Sequence, residues 1–176
     1  HSATILVMYP VGSRYEPDPL QGVSHYIEHL MFKGTLKRKT TLALTREIDR
    51  LGAQYNAFTT KEYTGYYIKA DSAYLGISCD ILSDMLFHSV FEPRAMEREK
   101  GPVVEEIRMY NDNPLINIEN IFEDLLYAGS TLGRDIAGTE RHVRAYTREK
   151  VLAFKDKHYQ PSTMHVIVAG RIDVSA

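Results

Sequence analysis

Several absences narrow the field before any motif is read. The chain holds a single cysteine, Cys79, so no internal disulfide can form. One unpaired thiol favours a reducing compartment, the cytoplasm, with the periplasm and the mitochondrial matrix as alternatives. Cys79 lies in the apolar helical run YLGISCDILSDML and reads as a small buried hydrophobe, not as a nucleophile. No apolar run approaches the roughly 18 residues that a membrane span needs. No signal-peptide pattern heads the chain, although its abrupt opening on HSATILVMY is consistent with a missing upstream segment. Charge of neither sign dominates: 21 basic and 23 acidic residues leave a net −2. Partners of the nucleic-acid or membrane-surface kind are therefore not expected. The one basic cluster, LKRK at 36–39, reads as a solvated patch in a loop.

What is present describes a soluble-type globular chain. Apolar residues make up 44% and charged residues 25% of 176 residues. That length suffices for one domain with a real core and no covalent or metal staple. A metal, if bound, would then serve function rather than folding.

The pattern along the chain predicts a buried strand at 2–10, a Gly/Pro-rich loop at 11–22, and helices at 23–32 and 40–52. Two strands, AQYNAFTT and EYTGYYIKA, follow and meet at about Lys61. Helices are expected at 73–90, 92–113, 114–128 and 147–158, and a last strand at 163–170. Gly101 and Pro102 make a kink plausible within 92–113. No repeat or low-complexity segment interrupts this order. It describes an α+β fold, a mainly antiparallel sheet with helices packed on one face.

The helix at 23–32 carries the chemistry. His25 and His29 are four apart and share a helical face, so both imidazoles can reach one ion. Glu28 lies about 60° from His25 on the helical wheel. It can flank such an ion without ligating it, where a base for a metal-bound water belongs. Two histidines leave a catalytic zinc one ligand short. The adjacent pair Glu105 and Glu106, in EREKGPVVEEIRMY, is separated by the wheel. At about 100° per residue, Glu99, Val103, Glu106 and Tyr110 fall on one stripe, while Glu105 falls with Arg98 and Asp112 on the charged face. A carboxylate on a core-facing stripe needs a partner, and a metal would be one. Glu106 is therefore the expected ligand. Glu99 is expected to orient a ligating histidine or Glu106. The competing reading is an amphipathic helix that happens to carry two histidines. His88, His142, His158 and His165 have no ligand-spaced partner. Tyr63, Tyr66 and Tyr67 read as sheet packing.

The stretch VGSRYEPDPLQGVSHYIEHLMFKGT resembles the signature of the pitrilysin/insulinase zinc metallopeptidases, the inverzincins with H-x-x-E-H. The resemblance runs on through LGAQYNAFTTKEYTGYY, EEIRMYNDNP and MHVIVAG, across nearly the whole chain. It is nearest to the smaller bacterial and mitochondrial-processing-type members. In that family a glutamate ligand follows the second histidine with 76 residues between. Here 106 − 29 = 77 places Glu106 there, in agreement with the wheel. The family's further glutamate, seven before the ligand, falls on Glu99.

The resemblance implies one zinc ion and a substrate that is a peptide or an unfolded protein. It also implies that NAFT is an edge strand to which the substrate adds as an extra strand. Asn56 and Ala57 would contact the substrate, and Phe58 would wall the pocket beside the scissile bond. The bland alternative makes Phe58 core and Asn56 a turn residue. Family members close as a two-lobed chamber whose second lobe contributes an arginine and a tyrosine. Residues 1–176 would then be a single N-terminal catalytic domain, truncated, lacking the second lobe and the strand that normally precedes 2–10. Such a piece is expected to bind zinc and to hydrolyse weakly by itself. Some relatives are non-catalytic binding or structural subunits. These typically lose motif residues, which here are all present. An unrelated metal-binding helical domain is the remaining rival.

Overall fold

The computed structural model describes residues 1–172. Strand β1, Ser2–Tyr9, is built mostly of β-branched and apolar residues. It pairs antiparallel with β3, Thr64–Asp71, and on its other side with β4, His165–Gly170. Strand β2, Gln54–Thr59, pairs antiparallel with β3 and forms one edge, so the order is β2-β3-β1-β4. The expected buried strand is buried on one side, with its other side half-exposed. Ala3, Ile5, Val7 and Tyr9 are in the core, whereas Thr4, Leu6 and Met8 are half-exposed. Period-2 alternation dictates this, since successive side chains point to opposite faces.

Seven α-helices are present among the described residues: α1, Val23–Met31; α2, Thr41–Arg50; α3, Leu75–His88; α4, Pro93–Asp112; α5, Pro114–Leu126; α6, Glu140–Ala145; and α7, Arg148–His158. Helix α3 packs on β1 and β3, and α1 packs between β2 and α4. The buried side of the sheet meets the apolar stripes of α1, α3 and α4 in one core, including Ile5, Tyr66, Ile27, Leu30, Ile81 and Val103. Tyr26 on α1 donates a hydrogen bond of 2.5 Å to the Met96 carbonyl of α4, which pins the two helices at a buried point. Helix α4 runs unbroken through Gly101 and Pro102, so its wheel phase carries from Glu99 to Tyr110.

Two surface expectations change. The LKRK segment is not a uniformly solvated patch. Arg38 is 3% exposed and bonded to Glu47, Asp80 and Asp84. Three carboxylates on two helices compensate the buried guanidinium, a pairing that only the folded chain assembles. Cys79 is half-buried on the rim of the core rather than inside it.

Candidate metal centre and cleft

Helix α1 presents His25 and His29 toward Glu106 of α4, and Glu28 toward Thr59 at the end of β2. The Nε2 atoms of His25 and His29 are 3.2 Å apart. Glu106 Oε2 lies 3.6 Å from His25 Nε2 and 3.3 Å from His29 Nε2. A tetrahedral zinc with bonds of about 2.0–2.1 Å sets its ligand atoms about 3.3–3.4 Å apart. The three donors therefore fit that ion in spacing and in chemistry. Among the described residues, no other group of three or more His, Cys, Asp and Glu side chains gathers its ligand atoms in this way.

The partners around these donors leave the right atoms free. Glu99, 7% exposed, places Oε1 3.0 Å from His29 Nδ1 and Oε2 2.7 Å from Lys33 Nζ. That occupies Nδ1 and turns Nε2 of His29 toward Glu106. The Tyr110 hydroxyl donates 2.9 Å to Glu106 Oε1, leaving Oε2 for the histidines. Glu105 is exposed and pairs with Arg108. The wheel thus separates the two glutamates as the fold does. His25 is buried, and its Nδ1 has no hydrogen-bond partner among the described residues.

The charges follow from this packing. Burial, then the positive field of His29, lowers the His25 pKa to about 4. Burial opposes charge on His29 too, but its hydrogen bonds to the carboxylates of Glu106 and Glu99 outweigh it and raise its pKa to about 9. The His29 hydrogen bond draws Glu106 down to about 2. Burial raises the pKa of Glu28, partly offset by the Thr59 hydroxyl, which donates 2.5 Å to Glu28 Oε2.

These groups floor a cleft of about 560 Å³. One wall is the β2 edge, where Asn56, Ala57 and Phe58 all line the cleft. Phe58 lies across Gly65 of β3, where any Cβ would overlap its ring. The other wall, Ile116 and Asn120 of α5 with Asp135, Ile136 and Ala137, has no counterpart in the sequence reading. Thr59 was missed as well. No spacing rule connects positions so far apart. Lys61 joins the walls, donating 2.6 Å to the Leu132 carbonyl and pairing with Glu123 at 2.7 Å. His88 and His165 are exposed, His142 is half-buried, and His158 packs on Phe154. None joins the cleft. Tyr66 is core, and Tyr63 meets Phe58 edge-on.

Comparison with known proteins gives a consistent result. The family model described as Insulinase (Peptidase family M16) matches residues 1–140. An uncharacterized zinc protease of Streptomyces coelicolor is 39% identical over 172 residues, covering 98% of this chain and 37% of that protein. The beta subunit of the mitochondrial-processing peptidase of Dictyostelium discoideum is 35% identical over 175 residues, covering 97% and 36%. A crystal structure of a protease from Helicobacter pylori superimposes with a TM-score of 0.94 at 26% identity, covering 99% of this chain and 42% of that one. The chain thus spans well under half the length of these relatives. It belongs to the insulinase family of peptidases, M16.

Proposed function

From that family membership we propose that the chain is the zinc-binding catalytic portion of a metalloendopeptidase acting on extended peptides. The observation that carries this reading is the cluster of three donor atoms at 3.2–3.6 Å, with a fourth side, Glu28, beside it in the cleft. His25 and His29 would hold zinc through Nε2 and Glu106 through Oε2. Zinc bound there supplies an acidified water and an electrophile for the scissile carbonyl.

The chain's own residues do the rest. Thr59 holds Glu28 Oε2 and leaves Oε1 to face the reaction. Burial makes Glu28 a stronger base than a free carboxylate. It takes the proton of the attacking water and returns it to the leaving amine. Glu99 fixes the ring of His29. The β2 edge offers its main chain to an extended substrate, and Phe58 with Asn56 and Ala57 shapes the cleft beside it.

A second lobe or partner subunit belongs to the same proposal. Helix α5 supports it, because it buries no side chain and turns Leu115, Ile118, Phe122 and Leu125 outward. The cytoplasm, read from the single cysteine, stands as part of the proposal. No helix among the described residues is long and apolar enough to cross a membrane.

The test is zinc content together with cleavage of a quenched peptide by a full-length protein. Glu28→Gln should keep one zinc and lose at least about 100-fold in kcat. Full turnover in that variant sinks the role of Glu28. Zinc without cleavage in the unmodified full-length protein would favour a non-catalytic binding subunit instead.

A further inference from the structure

Helix α1 begins in an unusual way. Its N-cap is Gly22, with φ +86 and no side chain to cap the first turn. No side chain can stand there, because a Cβ at Gly22 would overlap the Ala137 carbonyl. Gly138, with φ +71, meets the Gln21 carbonyl from the other side in the same way. The backbone of the second cleft wall thus lies directly against the start of the helix that carries His25.

The missing cap comes from upstream. Glu16 is 3% exposed. Its Oε2 accepts from Gly22 N at 2.6 Å and its Oε1 from Ser24 N at 2.8 Å. These are two of the orphan donors that any helix N-terminus leaves. The carboxylate also suits the positive end of the helix dipole. The carbonyl of Glu16 accepts from Arg134 Nη1 at 2.7 Å. Arg134 also pairs with Asp18 and directly precedes Asp135, Ile136 and Ala137 of the second wall. The Tyr146 hydroxyl closes the arrangement on the Gln21 carbonyl.

We propose that Glu16 is the positioning residue of the metal helix, setting the first turn of α1, and with it His25, against the second wall of the cleft. One side chain grips the helix while the same residue's main chain grips the wall. Glu16 touches neither metal nor substrate. Its effect reaches the site through the geometry of α1. The zinc part of the test below rests on the proposed function, and the exchange part does not.

The experiment compares the unmodified chain with Glu16→Gln, which keeps the volume but leaves one N–H facing an amide NH₂. Glu16→Asp, which keeps the charge on a shorter arm, is the second variant should Gln fold poorly. Ile81→Val on α3 is a control for general destabilisation. Amide hydrogen exchange in chelator should speed up by about tenfold or more at residues 22–27 in Glu16→Gln, since a buried donor loses its acceptor. Exchange in α3 and the sheet should stay near that of the unmodified chain. Zinc affinity, measured by competition with a chelator at a temperature where every variant is folded, should fall by about tenfold for Glu16→Gln and be unchanged for Ile81→Val. Faster exchange spread evenly over α1, α3 and the sheet would overturn the proposal. So would local loosening of α1 with unchanged zinc affinity. If the unmodified chain binds no zinc, the proposed function falls, and the exchange pattern still decides whether Glu16 sets α1.

Discussion

Glu106 and Glu105 are neighbours in sequence and opposites in consequence. Glu106 Oε2 sits 3.3 Å from His29 Nε2, while Glu105 is exposed beside Arg108. Glu106→Gln should therefore strip zinc at micromolar metal, and Glu105→Gln should leave the metal content of the purified protein unchanged. Zinc retained in Glu106→Gln would refute the assignment. Metal binding should also be coupled to pH. His29 has its pKa raised to about 9 without metal, whereas His25 is lowered to about 4 and Glu106 to about 2. A histidine ligand must be neutral and a glutamate ligand ionised, so between about pH 4 and 9 zinc displaces one proton, from His29. Its apparent Kd should rise about tenfold for each unit that pH falls below about 9. Calorimetry at pH 7 in buffers of different ionisation enthalpy reads that proton directly. A titration with no proton release would contradict the His29 environment.

At the scale of elements, helix periodicity was the reliable guide. The stripe Glu99, Val103, Glu106 and Tyr110 needed only an unbroken α4, and the helix does run unbroken through Gly101–Pro102, where the sequence makes a kink plausible. Periodicity was silent about the segment between α1 and α2. Arg38 there is buried against Glu47 and Asp80 on α2 and α3, and against Asp84, itself 5% exposed. Composition alone makes that segment look like a solvated basic patch. Arg38→Met should destabilise the chain by about 3 kcal/mol, because the buried Asp84 would lose its guanidinium partner and keep only the Thr35 hydroxyl and the exposed His88 beside it. Urea unfolding with an unchanged slope checks this, and a change under about 1 kcal/mol would show the network to be dispensable.

For the whole molecule, the contrast lies between one shared core and the exposed apolar face of α5. The sheet and α1, α3 and α4 share one buried core, yet α5 exposes Leu115 at 85% and Leu125 at 76%. The relatives are more than twice as long as this chain. The expected outcome is that the 176-residue chain binds zinc but cleaves a quenched peptide far more slowly than a full-length protein. Equal turnover by the two would show that the remaining length is not needed.

The sequence by itself brought out the proposed ligand set and base, because both depend on local spacing, and its family resemblance pointed to the edge strand. Four residues make one helical turn, and a wheel separates Glu105 from Glu106. Tertiary structure alone decided what surrounds them. The second cleft wall at 116–137, the Thr59 hydrogen bond to Glu28 and the Glu16 cap on α1 join segments whose order in the chain carries no period. The wall and the Thr59 bond arise only when α5, the loop after it and β2 pack against α1, and the Glu16 cap forms only when the loop before α1 folds onto the start of that helix.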